Sequence, residues 1–128
     1  MYILLVDDEE ELVQTLAERL GFRGIEAEWA TSAETALELV REKHFDIAVL
    51  DVKMPRISGI ELMGMLKEQD PALRFVFLTG HGSEADFRQG SESGACFYLM
   101  KPVKLERLVE KLEEAIDGNN KHSPGEVS

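Results

Sequence analysis

Cysteine is nearly absent: Cys96 stands alone among 128 residues. One thiol cannot close an internal disulfide, so a disulfide-stapled secreted scaffold is excluded and a reducing, cytoplasmic setting is expected. Long apolar runs are missing as well. No stretch approaches the roughly 20 residues needed to span a bilayer, so no membrane association is expected. The apolar start MYILLVDDEE is short and runs straight into acids, unlike a secretory signal. Basic charge is scarce: 14 Lys and Arg against 25 Asp and Glu leave a net charge of −11. Such a surface repels nucleic acid, whose binders need a basic face to release counterions. Any effect on a gene would therefore run through a partner or a further domain. The histidines His44, His81 and His122 share no ligand spacing with Cys96 or with one another, which argues against a zinc site.

What is present is a repeating alternation. Residues 2–6 form a short, unbroken apolar run, as do 47–50 and 75–78, which suits strands buried on both faces. Residues 25–29 alternate apolar and polar, the mark of an edge strand half open to water. Residues 96–99 make a last strand. Between them lie helical stripes. Leu12, Val13, Leu16, Ala17 and Leu20 line one face of 10–20, with Gly21 placed to stop the helix. Thr31 and Glu34 form a capping-box pattern ahead of Ala33, Ala36, Leu37 and Val40. Ile60, Met63 and Leu66 face inward over 59–68, closed by Asp70-Pro71. Residues 83–92 make a poor helix with Gly90 inside it, and few apolar contacts make 83–94 the segment expected to be mobile. Leu105, Leu108, Val109, Leu112 and Ile116 give a strong stripe over 104–116, with Glu106, Arg107, Glu110, Lys111 and Glu114 on its charged face. Strand and helix thus alternate five times. That pattern predicts an α/β fold with a parallel sheet covered by helices on both faces. One domain over residues 1–117 is expected, with 118–128, rich in Gly, Asn, Ser and Pro, as a disordered tail or the start of a linker.

In open parallel sheets, sites form beyond the carboxyl ends of the strands, where strand order reverses. The polar residues here fall in those places. Asp7 and Asp8 follow the first strand, Asp51 the third, Thr79 the fourth and Lys101 the fifth. Acids also favour helix N-termini, so Asp7 and Asp8 alone would say only that a helix begins. If strands one and three are neighbours, however, three carboxylates crowd one pocket and need compensating charge. A hard divalent cation such as magnesium, with the Lys101 ammonium, would supply it. A pocket holding a metal, a free carboxylate, a hydroxyl and an ammonium can handle a phosphoryl group.

The stretches VDDEE at 6–10, VLDVKMP at 49–55, LTGHG at 78–82 and YLMKP at 98–102 resemble the four signatures of the response-regulator receiver family of two-component systems. Each is weak alone, but four in the right order on the right elements are specific. The resemblance implies a flavodoxin-like, doubly wound sheet with strand order 2-1-3-4-5. It implies Asp51 as phosphoacceptor, Asp8 as a direct magnesium ligand, Asp7 acting mainly through water, and the Lys53 carbonyl as a further ligand. Thr79 would bond the phosphoryl group and move towards it, Lys101 would pair with its charge, and Tyr98 would be the aromatic switch. The bond before Pro102 would be cis. A sensor histidine kinase or phosphotransfer protein would be the donor, an output domain or effector the reader, and a homodimer through the last helix and strand is a further expectation.

Two departures and three rivals bear on this reading. Lys53 and His81 lie two residues after Asp51 and Thr79, positions that flank the phosphoryl group and tune its lifetime in receivers. Val103 stands where many relatives carry Phe. A haloacid-dehalogenase-like phosphatase would need a second Asp where Lys53 stands. A nucleotide binder would need a phosphate-cradling loop after the first strand, where DDEE instead repels phosphate. A phosphorylation-independent binding module remains the alternative, although chains of that kind usually lose an acid or the lysine, and this one has them all.

Overall fold

The computed structural model describes residues 1–80 and 97–117. The expected helix at 83–92, the readings of His81 and Cys96, and the tail lie outside the described residues. Five strands are formed: β1 (Tyr2–Val6), β2 (Glu26–Ala30), β3 (Ile47–Asp51), β4 (Arg74–Thr79) and β5 (Phe97–Met100). Four helices lie among the described residues: α1 (Glu10–Phe22), α2 (Ala33–Glu42), α3 (Gly59–Gln69) and α4 (Leu105–Asp117). All strand pairings are parallel, in the order β2-β1-β3-β4-β5. None of the described helices is long and apolar enough to cross a membrane.

The continuous apolar strands are buried on both faces because each supplies two layers. Leu4, Val6, Leu50, Phe75 and Phe77 pack with Ala36, Val40, Leu62, Met63 and Leu66 of α2 and α3. The alternate residues Ile3, Leu5, Val49, Val76 and Leu78 pack with Val13, Leu16 and Leu20 of α1 and with Leu108 and Leu112 of α4. Each such Leu, Ile or Val contributes roughly 1.5–3 kcal/mol when buried. β2 is an edge strand and mostly half-buried, as expected from the alternation at 25–29.

Several local readings are corrected. α1 does not stop at Gly21. It runs to Phe22, and the left-handed residue that ends the turn is Gly24, at φ +80°, whose N–H reaches the Gly21 carbonyl. Ser32, not Thr31, caps α2: its hydroxyl accepts from the Thr35 N–H, 3.2 Å away. A full capping box sits instead on α3, where Ser58 Oγ accepts from the Glu61 N–H and Glu61 accepts from the Ser58 N–H. Lys111 is not on a solvated face. It is only 3 % exposed, on the ridge between Leu108 and Ala115, with its ammonium 4.8 Å over the Phe97 ring and 3.3 Å from Glu114. His44 is exposed and pairs with Asp70 at 3.1 Å. Val103 packs against the α1–α4 side of the core.

Candidate functional site

β1 and β3 are neighbours, with Val6 paired to Leu50, so the order reverses between β1 and its two partners. Asp7 and Asp8 leave β1 at the carboxyl end, and Asp51 is the last residue of β3. The backbone gathers them: the Asp7 N–H bonds to the Ala30 carbonyl, and the Val52 N–H to the Leu78 carbonyl. One carboxylate oxygen from each of Asp7, Asp8 and Asp51 lies within 4.8 Å of the others. Asp7 and Asp51 are buried, at 2 % and 5 % exposure, while Asp8 is open to solvent.

Lys101, following β5 and preceding a cis bond to Pro102, reaches across the strand ends. Its ammonium donates to Asp7 Oδ2 at 2.7 Å and lies 3.5 Å from both Asp51 Oδ1 and Glu9 Oε1. Asp51 Oδ1 also accepts from the Lys53 N–H at 3.4 Å, and Asp7 Oδ1 from the Glu9 N–H at 2.9 Å. The approach of α3 to this corner depends on Gly59. A Cβ there would stand 2.1 Å from the Asp51 carbonyl oxygen. The same glycine donates its N–H to the Val52 carbonyl at 2.8 Å.

The electrostatics follow from burial of like charges. Asp51 is pushed up to about 6, first by desolvation and then by the Asp7 charge, against the pull of Lys101 and the Lys53 N–H. Asp8 is raised too, by burial and by Asp7. Burial pulls Lys101 down, but the Asp7 hydrogen bond and the charges of Asp7, Asp51 and Glu9 outweigh it and leave it raised. Two of the three acids are therefore held above their ordinary range, the state of a site short of positive charge. Oxygen donors of this kind suit a hard divalent cation, so the residues present fit the magnesium expected of them.

Thr79 ends β4 beside this cluster and is 1 % exposed. Its hydroxyl donates to Met100 Sδ at 3.1 Å. Tyr98 stacks on Phe77, with ring centroids 5.2 Å apart, and burial pushes its hydroxyl up to about 12. The structure thus gathers Asp7, Asp8, Asp51 and Lys101 in one cluster, puts Lys53 against it through its backbone, and sets Thr79 and Tyr98 on the neighbouring strands. Three participants carried no assignment in the sequence: Glu9, Gly59 and Met100. Met100 could have been found from register, because it pairs with Thr79 across β4 and β5. The closeness of Gly59 to Asp51 is a tertiary fact with no local signal.

Known proteins agree with this architecture. The family profile of the response regulator receiver domain matches residues 3–113. The two-component response regulator PhoP of Pseudomonas aeruginosa is 37 % identical over 112 residues, covering 88 % of this chain and 50 % of that protein. This chain spans about half the length of the curated relatives it matches. A receiver domain protein from Methanospirillum hungatei superposes with a TM-score of 0.86 at 31 % identity, covering 95 % of this chain and 98 % of that one. A response regulator from Burkholderia pseudomallei, solved with a phosphorylated aspartic acid and a calcium ion, superposes with a TM-score of 0.78 at 28 % identity, covering 95 % of this chain and 75 % of that one. Strand order, the acidic corner where that order reverses and these likenesses lead to one conclusion: the chain belongs to the response regulator receiver domain family of two-component systems.

Proposed function

We propose that Asp51 accepts a phosphoryl group from a phosphohistidine of a sensor histidine kinase or phosphotransfer protein. The observation that carries this reading is the convergence of Asp7, Asp8 and Asp51 on one point with the Lys101 ammonium over them. Receiver domains are signalling domains, not enzymes acting on outside substrates, and response regulators work with histidine kinases and output domains. The Burkholderia relative, with its phosphorylated aspartic acid and calcium ion, supports the same chemistry here.

In the reaction, an Asp51 carboxylate oxygen attacks phosphorus, the P–N bond to the donor imidazole breaks, and an acyl phosphate results. Asp51 must be ionised to attack, and with its proton held to about pH 6 it is so at neutral pH. Asp8 and Asp51, with the Lys53 carbonyl, would hold magnesium directly, and Asp7 would hold it through water. When bound, magnesium neutralises phosphoryl oxygens that three acids would otherwise repel. Lys101 then exchanges part of its contact with Asp7 for the phosphoryl charge. Thr79 turns its hydroxyl to a phosphoryl oxygen, and Tyr98 responds to the space so changed. Phosphorylation biases two pre-existing arrangements of this surface, and an output domain or effector reads the difference. The receiver unit spans residues 1–117, acts in the cytoplasm and makes no direct contact with nucleic acid. A homodimer would use α4 and β5.

Self-phosphorylation from small donors gives the direct test. Incubated with acetyl phosphate and magnesium, the protein gains the mass of one phosphoryl group. Without magnesium, or as Asp51→Asn, it gains none. Labelling that persists in Asp51→Asn removes Asp51 as acceptor.

A further inference from the structure

The Thr79 hydroxyl has a resting partner, and that partner lies on the side of β4 away from Asp51. β4 stands between β3 and β5 in the sheet, with Asp51 at the end of β3 and Met100 at the end of β5. Thr79 and Met100 are register partners, so their side chains share a face. The hydroxyl donates to Met100 Sδ at 3.1 Å and thereby points towards β5.

Met100 is not there for packing. It ends the edge strand β5 and is 57 % exposed, so it does not belong to the core. Thr79 is 1 % exposed, and a hydroxyl that deep needs an acceptor. A thioether is a weak one. It satisfies the hydroxyl without holding it fast, and a charged phosphoryl oxygen, bonding roughly twice as strongly as a neutral acceptor, would win it.

We propose that Met100 is a positioning residue for the phosphoryl response: its thioether parks the Thr79 hydroxyl on the β5 side and sets how readily that hydroxyl is released to the phosphoryl group. The inference rests on the phosphoacceptor reading above. Tyr98, two residues before Met100 and stacked on Phe77 two residues before Thr79, lies on the same face, so release of the hydroxyl and adjustment of the aromatic ring occur side by side.

Two substitutions act in opposite directions. Met100→Leu removes the acceptor at similar volume. Met100→Gln offers an amide oxygen, a stronger acceptor, on a side chain of similar reach. The readout is calorimetric affinity for beryllofluoride, a phosphoryl mimic, in the presence of magnesium. Met100→Leu is expected to bind about three- to tenfold more tightly than wild type and Met100→Gln about as much more weakly, the size of one hydrogen bond. In a Thr79→Val background the two swaps should no longer differ. A merely structural role would move both variants the same way, and that result overturns the proposal, as does an order that survives in Thr79→Val. Wild type that binds no beryllofluoride overturns the receiver chemistry itself and the proposal with it. Wild type that binds, with indifferent swaps, overturns the role of Met100 alone.

Discussion

Asp51 is an acid held in a place that resists its charge. It is 5 % exposed, close to Asp7, and raised to about 6 from an ordinary 3.8. The folded chain therefore keeps its proton to higher pH than the unfolded chain does. Below about pH 4 both states are protonated, and Asp51 does not disfavour folding. As pH rises from about 4 to 6 the unfolded chain ionises first, so stability falls, and above about 6 the deficit is constant. A shift of about two units sets a ceiling near 3 kcal/mol at about 1.4 kcal/mol per unit, and screening by the open Asp8 side leaves roughly 1–3 kcal/mol. Asp51→Asn removes the charge and keeps the shape. In chelator, urea unfolding should find that variant more stable than wild type by about that amount at pH 7.5, with the gap closing towards pH 4.5. A gap equal at both values would mean that the charge of Asp51 is not what its surroundings oppose. The residue types at this site were legible in the sequence because carboxylates, a hydroxyl and a lysine stood at successive strand ends. Their pairing was not: Lys101 sits closest to Asp7, at 2.7 Å, and lies 3.5 Å from Asp51. The burial of Lys111 did not follow from its charge; the signal for it was its place between Leu108 and Ala115 on one ridge.

At the scale of elements, strands and helix stripes followed from periodicity, and the errors gathered at helix ends. There the outcome depends on one or two hydrogen bonds and not on a face of apolar residues. Gly21 shows this. Its position past an apolar stripe resembles a stop, yet the helix continues because Phe22 and Arg23 complete the turn and Gly24 supplies the left-handed residue. Gly59 shows the reverse. It is the first residue of α3, an ordinary site for alanine by propensity, but a Cβ there would collide with the Asp51 backbone at 2.1 Å. The two glycines therefore predict opposite results. Gly21→Ala has open space around it and should stabilise the chain by about 0.4–1 kcal/mol. Gly59→Ala must push α3 away from β3 and should cost about 1–3 kcal/mol, as overpacking does. Because the atom met is the carbonyl of Asp51 itself, Gly59→Ala should also slow acetyl phosphate labelling beyond what its lost stability explains. Chemical denaturation and intact mass on the same samples separate the two effects. Normal labelling kinetics in a destabilised Gly59→Ala would show that the helix can shift without disturbing the acceptor.

For the whole molecule, the net charge of −11 means that folding gathers negative charge, and the three acids at the carboxyl end of the sheet are where gathering is tightest. A divalent cation that binds only the folded arrangement stabilises it by linkage, about 2.7 kcal/mol at a hundredfold excess over its dissociation constant. In a domain of this size that corresponds to roughly 10 °C in Tm. Non-specific screening by salt also relieves repulsion, so the comparison must hold ionic strength fixed. At pH 7.5, magnesium should raise Tm well above the value in sodium chloride of equal ionic strength. At pH 5 the gain should shrink, because Asp51 and Asp8, both raised above their ordinary values, then bind protons in competition with the metal. In Asp51→Asn most of the gain should vanish at both pH values, since one of the converging carboxylates is gone. A magnesium effect of the same size in wild type and Asp51→Asn would place the ion elsewhere on the acidic surface. An effect matched by sodium chloride would reduce it to screening. Only the combination of specificity for magnesium, loss on acidification and dependence on Asp51 ties the charge of the whole chain to the corner where its chemistry is proposed to occur.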